Sequence, residues 1–271
     1  MERMDQNMPF LLQYENVAWY DKGKVRILDR RVYPEIRYVE CESYRQVVQA
    51  IADMVTQSAG PYTAVGMGMA LAAWEVRGKG EPEQKAFLEQ AAHELAHARP
   101  TTANRYGQIT RRCAQLGKDA LAAGQDPVQA IFEDTLASLN RRYATMQKVG
   151  DFLLEQIPAG GCILTQCFGE TIIGTLIRAA REAGKDFRVF CAETRPYLQG
   201  ARLTASCFAQ MGFDTTILCD NMVAYAMQHE GIDLFTSAAD TITRDGHIAN
   251  KVGSYQMAIL AKHHHIPYFV T

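Results

Sequence analysis

The sequence predicts an α/β protein in two parts: a mainly helical N-terminal domain with a short β-hairpin region over residues 1–124, then a doubly wound parallel sheet over residues 125–271 that includes a long connecting helix. Three observations predict it. Beyond residue 158, short apolar runs alternate with helical patterns every roughly 20 to 30 residues, the rhythm of βαβ units with right-handed crossovers. Those runs carry apolar residues at successive positions, as strands do when helices cover both faces. Between residues 43 and 157 the periodicity is helical.

Residues 10–14, 17–20 and 25–28 read as short strands, with Asp21-Lys22-Gly23 as a turn. Ser43 with Gln46 forms a capping box ahead of a helix whose Val47, Ile51, Met54 and Val55 share one face. Helical patterns follow at 62–77, 82–97 and 100–117, with methionines and aromatics that read as core. The stretch 117–125 breaks the run. Asp126-Pro127 then opens a long helix in the cap-then-proline order, running to Ile157 with Gly150 as a candidate break. The later strands are predicted at 162–165, 188–192, 215–219, 234–237 and 267–270, with helices near 171–183, 201–211, 222–229 and 251–263. This second part is Rossmann-like. The chain shows no solenoid repeat and no low-complexity segment.

Hydrophobic residues make up 48% and charged residues 21% of the 271, and the formal net charge is −2. That balance argues against a general affinity for nucleic acid or an anionic membrane. No stretch has the length of a membrane span, and residues Met1 to Pro9 lack a signal-peptide core, so a cytoplasmic protein is expected. Seven cysteines without a CxxC pair fit a reducing compartment, most of them free and buried.

Ligands of open α/β sheets bind beyond the carboxyl ends of the strands. Those ends read Thr165-Gln166-Cys167, Glu193-Thr194-Arg195, Asp220-Asn221 and Asp240. A thiol, carboxylates, a guanidinium and amides thus converge on one rim; the plainer alternative is that each loop is polar because it caps the next helix. Asp240 follows the small residues Ser237-Ala238-Ala239, where partial burial would raise its pKa and let it donate a proton near neutrality. Its competing role is to cap the turn 241–246. Cys167 stands at the mouth of a helix beginning near Thr171, and a helix N-terminus favours a thiolate. Its competing role is that of an inert buried cysteine. Cys162, on the same strand, points to the opposite face. His263-His264-His265 reads as a basic helix end, so no metal site is expected. Gly66-Met67-Gly68 lacks the third glycine and the preceding strand of a dinucleotide fingerprint, and no P-loop, HExxH or GxSxG motif is present.

The run Glu193-Thr194-Arg195-Pro196-Tyr197-Leu198-Gln199-Gly200-Ala201-Arg202-Leu203-Thr204 is followed in order by Asp220-Asn221-Met222, Ala239-Asp240 and Ala249-Asn250-Lys251-Val252-Gly253-Ser254-Tyr255. Together they resemble the methylthioribose-1-phosphate isomerase family, which shares its fold with archaeal ribose-1,5-bisphosphate isomerases and the α, β and δ subunits of translation initiation factor 2B. Pro9-Phe10-Leu11-Leu12-Gln13-Tyr14-Glu15, Val25-Arg26-Ile27-Leu28-Asp29 and Arg99-Pro100-Thr101-Thr102-Ala103-Asn104 agree, so the resemblance covers nearly the whole chain. It implies a cofactor-free homodimer that converts an aldose 1-phosphate to the ketose 1-phosphate, as in methionine salvage. The substrate would be 5-methylthioribose 1-phosphate or another 5-modified pentose 1-phosphate.

The resemblance also implies that Cys167 is the catalytic cysteine and Asp240 the proton donor. Arg99, Gln199, Asn250 and Lys251 match substrate-contacting positions, and Gln57, Ser58 and Ala59 fall in the family's phosphate loop. A phosphate on the anomeric oxygen blocks ring opening as a free hemiacetal. The ring oxygen must therefore gain a proton as hydrogen moves from carbon 2 to carbon 1, and Asp240 and Cys167 suit those two tasks. A phosphoenolate route and a hydride shift both remain open. The alternative reading is a non-catalytic regulatory protein like the initiation-factor subunits; retention of both Cys167 and Asp240 favours the enzyme. Three features depart from the family pattern: Gln57 stands for an arginine, only Phe168-Gly169-Glu170 separates Cys167 from its helix, and Thr271 ends on an apparent strand where the family continues.

Overall fold

A computed structural model describes residues 3–100 and 103–271; Thr101 and Thr102 of the Arg99-to-Asn104 motif lie outside the described residues. The chain packs as two compact units, one comprising Met1–Asp5 and Gln13–Arg142, the other Gln6–Leu12 and Tyr143–Thr271.

In the first unit, β1 (Trp19–Asp21), β2 (Lys24–Leu28) and β3 (Tyr38–Cys41) form an antiparallel sheet in that order, with Trp19 opposite Arg26 and Val25 opposite Cys41. Residues 10–14, expected as a strand, instead form a 3₁₀ turn at Phe10–Leu12 and the start of α1 (Tyr14–Val17). A short apolar run does not distinguish a strand from a buried helical turn. Helices α2 (Tyr44–Ala52), α3 (Gly60–Glu75), α4 (Glu81–Ala96), α5 (Ala103–Ala122) and α6 (Pro127–Gln156) follow. The Gln46 amide donates to the Ser43 hydroxyl at 3.4 Å, and the Gln46 side chain accepts from the Glu42 N–H at 2.6 Å, which closes the start of α2. Helix α3 is buried on nearly every side, with Val65, Met67, Met69 and Leu71 in the core.

Helix α5 ends at Ala122, so the break expected over 117–125 falls in the second half of that stretch, whereas the candidate break at Gly150 does not occur. Helix α5 continues through Gly117, where a Cβ would lie 2.8 Å from Leu88 Cδ1 and 3.1 Å from Ile131 Cδ1. Helix α6 continues through Gly150, where a Cβ would lie 2.6 Å from the Thr175 hydroxyl and 2.9 Å from the Leu176 nitrogen. Both are points where a neighbour approaches the helix too closely for a side chain. The start of α6 is as expected: the Asp126 carboxylate accepts the Val128 N–H at 2.9 Å. The second unit takes over this helix at Tyr143.

The second unit contains β4 (Cys162–Gln166), β5 (Arg188–Ala192), β6 (Thr215–Leu218), β7 (Leu234–Ser237), a two-strand ribbon of β8 (Thr241–Ile242) and β9 (Ile248–Ala249), and β10 (Tyr268–Val270). Five strands make one parallel sheet in the order β10-β7-β4-β5-β6. Cys162, Leu164, Phe190 and Phe235 pack on one face against Val223, Ala226, Met257 and Ala261 of α9 (Val223–His229) and α10 (Ser254–His263). Ile163, Val189, Cys191 and Leu234 alternate with them and are equally buried, so both faces are covered. Each of α7 (Ile177–Glu182) and α8 (Ser206–Gln210) is preceded by a π-helical turn, Thr171–Leu176 and Gly200–Ala205. His263 ends α10 and His264 caps it, the basic helix end expected. No helix among the described residues is long and apolar enough to cross a membrane.

Strand order reverses at β4. Chain progress runs to β5 and β6 on one side and to β7 and β10 on the other, so the topological switch point lies between the carboxyl ends of β4 and β7. Cys167 follows one of these strands, and Ala238 to Asp240 follow the other.

Candidate active site

Cys167 leaves β4 in the left-handed region, with φ 59°. Both of its backbone polar groups are held by threonines. Its N–H donates to Thr194 Oγ1 at 2.8 Å, and its carbonyl accepts a short bond from the Thr204 hydroxyl. Thr194 is itself left-handed, with φ 65°, and donates its hydroxyl proton to the Ala192 carbonyl at 3.0 Å. The Asp220 carboxylate accepts the Thr194 and Arg195 N–H groups at 2.9 and 2.8 Å. The loops after β4, β5 and β6 are thereby tied into one frame. The sequence placed Asp220 and Thr194 at strand ends but gave no sign that they support Cys167, because that support runs through backbone atoms.

Burial pushes the Cys167 thiol up, against the nearby Lys251 charge and the Phe168 N–H, which pull it down; Asp240 pushes it further up. Removal from water outweighs the favourable groups, so the shift runs opposite to the one a helix terminus alone would give.

Asp240 is exposed, not partly buried as expected, because the β8–β9 ribbon begins at the next residue and carries it outward. Its N–H donates to the Ala249 carbonyl at 3.0 Å. It does not close the turn of that ribbon, where the Thr243 N–H donates to the His247 carbonyl at 2.8 Å and Asp245 pairs with His247 at 3.1 Å.

Asn250 and Lys251 follow β9. The Asn250 amide donates to Ser254 Oγ at 3.0 Å and to Ser237 Oγ at 3.4 Å, which leaves its carbonyl oxygen toward other partners. The Lys251 ammonium lies 6.0 Å from the centre of the Tyr197 ring. Gln199 is buried, and its side-chain oxygen has no hydrogen-bond partner among the described residues. It precedes Gly200, whose position admits no side chain: a Cβ there would lie 1.8 Å from the Ala192 carbonyl oxygen.

Gln57, Ser58, Ala59 and Arg99 belong to the first unit. Gln57 is buried; its amide donates to the Met54 carbonyl at 3.3 Å, and its side-chain oxygen has no partner among the described residues. The Gln57 carbonyl accepts from the buried Arg30 guanidinium at 2.5 Å. Ser58 is exposed and left-handed with φ 58°, Ala59 immediately precedes α3, and Arg99 is half-buried just beyond α4.

A thiol, a carboxylate and an ammonium gathered at the switch point of a doubly wound sheet define a small-molecule site suited to proton transfer. Residues 62–271 match the Initiation factor 2 subunit family. The methylthioribose-1-phosphate isomerase of Desulforudis audaxviator is 37% identical over 265 residues, 94% of this chain and 75% of its own length. That of Pelotomaculum thermopropionicum is 36% identical over 275 residues, 94% of this chain and 73% of its own. Among solved structures, 5-methylthioribose 1-phosphate isomerase from Pyrococcus horikoshii superposes with a TM-score of 0.79 at 28% identity, covering 100% of this chain and 78% of that one. The translation initiation factor eIF-2B subunit delta from A. fulgidus gives 0.77 at 29% identity, covering 94% and 76%. The chain belongs to the initiation factor 2 subunit family and, with these relatives, to the methylthioribose-1-phosphate isomerases.

Proposed function

We propose that this protein isomerises an aldose 1-phosphate to the ketose 1-phosphate, with 5-methylthioribose 1-phosphate as the first substrate, as in methionine salvage. Cys167 and Asp240 are the reacting groups. The observation that carries this reading is their placement just beyond the carboxyl ends of β4 and β7, on either side of the switch point. The reaction balances within the substrate. Hydrogen leaves carbon 2 for carbon 1, the bond from carbon 1 to the ring oxygen breaks, and the ring oxygen gains a proton. The carbon 2 hydroxyl gives up its proton to become the ketone, so no atom or electron is gained or lost. Asp240 serves as acid toward the ring oxygen and recovers a proton from the carbon 2 hydroxyl. Cys167 serves the hydrogen transfer between carbons, with Lys251 stabilising charge on the sulfur.

The buried, unpartnered Gln199 oxygen supports its role as acceptor for a sugar hydroxyl, and the Lys251 ammonium suits an anionic substrate. Asn250 contributes its carbonyl oxygen. Arg99, Gln57, Ser58 and Ala59 enter this reading on the family resemblance alone. The protein acts as a cytoplasmic homodimer on a small sugar phosphate, without nucleic acid, membrane or cofactor. The test is incubation with a panel of pentose 1-phosphates, with ketose product followed by NMR. Product from at least one member, lost in both Asp240→Asn and Cys167→Ser, is expected. Binding without any turnover would replace this reading with a regulatory one.

A further inference from the structure

We propose that Gln166 and Ser254 are positioning residues that hold the segment Asn250 to Gly253, and with it the Lys251 ammonium, against the Cys167 thiol. The inference rests on the reading of Cys167 as a reacting group and gives a role to two residues, Gln166 and Ser254, to which the family resemblance assigned none.

Gln166 is the last residue of β4. Strand alternation puts it on the face of Cys162 and Leu164, which packs on α9 and α10, so its side chain runs toward the start of α10. Its carboxamide is only 2% exposed, and a polar group so buried needs partners. The Nε2 atom donates a short bond to Ser254 Oγ and a long one, 3.5 Å, to the Lys251 carbonyl. Ser254 Oγ donates to the same Lys251 carbonyl at 2.8 Å and accepts from Asn250 Nδ2 at 3.0 Å. A hydroxyl has one proton and two lone pairs, so Ser254 is saturated.

The network continues. Asn250 Nδ2 also reaches Ser237 Oγ at 3.4 Å; that hydroxyl donates to the Ala238 carbonyl at 2.9 Å and meets the Tyr268 hydroxyl at 2.5 Å. With the Ser237 proton on the Ala238 carbonyl, the Tyr268 hydroxyl can donate to Ser237, which then accepts from Asn250 as well. Three of its members stand next to site residues in the chain: Gln166 precedes Cys167, Ala238 lies two residues before Asp240, and Asn250 precedes Lys251. The turn is also shaped around the carboxamide. Gly253 is left-handed with φ 99°, and a Cβ on it would lie 3.2 Å from Gln166 Oε1. Gly253 caps α10 without any side-chain hydrogen bond, so the bonds that Ser254 makes to Gln166, Asn250 and Lys251 serve the turn and not the helix end.

The readout is the pH dependence of Cys167 alkylation by iodoacetamide, followed by peptide mass spectrometry, which requires no turnover and so separates this proposal from the isomerase reading. The charges acting on the thiol are Lys251, which lowers its pKa, and Asp240, which raises it. Lys251→Met should move the alkylation midpoint to higher pH. Gln166→Ala and Ser254→Ala should move it in the same direction, and Ser254→Thr, which keeps the hydroxyl, should restore it. With 5-methylthioribose 1-phosphate, kcat of the alanine variants should fall about tenfold, the equivalent of ~1.4 kcal/mol, with a smaller change in KM. If Ser254→Ala does not fold, Ser254→Cys, of similar volume and weak hydrogen bonding, takes its place. A wild-type midpoint in both the Gln166 and Ser254 variants overturns the proposal, as does a wild-type midpoint in Lys251→Met.

Discussion

Thr194→Val isolates the clamp on Cys167. Valine keeps the volume and the β-branch, so the left-handed strain at this residue is the same in both proteins; only the hydroxyl is lost. In the native site that hydroxyl accepts the Cys167 N–H at 2.8 Å and donates to the Ala192 carbonyl at 3.0 Å, in a side chain 1% exposed. Each buried group left without a partner costs ~1–3 kcal/mol, which gives a ceiling of ~2–6 kcal/mol for the two. Some of that is recovered as Cys167 relaxes, because a non-glycine residue held at φ 59° carries ~1–2 kcal/mol of strain that the clamp maintains. The expected net loss is ~2–4 kcal/mol, with turnover falling as the thiol leaves its place. Both tryptophans, Trp19 and Trp74, lie in the first unit, so their fluorescence does not report on this site. Far-UV circular dichroism in urea measures the stability, and amide exchange of the peptide containing Cys167 measures the clamp. Thr194→Ser, which retains the hydroxyl, should stay near wild type. Wild-type stability and unchanged exchange in Thr194→Val would refute the argument.

Asp240→Asn should lower turnover by ~10²–10⁴-fold with the fold intact, since an amide is no acid; near-wild-type turnover would remove Asp240 from the chemistry. The same substitution should shift Cys167 alkylation to lower pH, because Asp240 is among the groups that raise the thiol. Burial pushes Cys41 and Cys162 up to about 11 and Cys113 and Cys191 to about 12, so these four should resist alkylation in the native protein while exposed Cys219 reacts first. The linkage has a definite sign: folded thiols with raised pKa keep their contribution below the unfolded value of ~8.5 and lose it as pH rises toward the folded values, so stability should decline in alkali. Gly200→Ala should destabilise by more than the ~1–3 kcal/mol of ordinary overpacking, because its Cβ meets a backbone carbonyl at 1.8 Å. Gly117→Ala should be far milder, since the obstructing atoms are ends of the Leu88 and Ile131 side chains, and denaturant unfolding of the two variants compares them directly.

The parallel sheet and its rim were legible because both follow from rules that need only local sequence. Strands such as Cys162–Gln166 are apolar at successive positions, and polar residues cluster where they end. What stayed hidden depended on partners distant in the chain. Gly150 read as a candidate helix break because a single sequence shows a missing side chain but not the neighbour that fills its place. Strand β3 was missed because Tyr38-Val39-Glu40-Cys41 is short and its pairing with β2 is what makes it a strand. The exposure of Asp240 was misjudged from the small residues before it, whereas the ribbon after it decides the matter.

The phosphate-loop departure shows the same effect in charge. The resemblance puts Gln57 where the family pattern has an arginine, so by sequence alone the loop counts one cation fewer. In the fold, the buried guanidinium of Arg30, 27 residues earlier, donates to the Gln57 carbonyl at 2.5 Å. Gly60 completes the wrap, since a Cβ there would lie 3.1 Å from Arg30 Nη1 and 2.2 Å from the Thr56 hydroxyl. A positive charge therefore lies beneath the backbone of this loop, where a charged group must be hydrogen-bonded to be tolerated. A guanidinium in that position stiffens the loop through its carbonyl, which a side chain at position 57 reaching outward would not do. Charge counted along the sequence says which residues are present at a loop; only the fold says which of them the loop is built around.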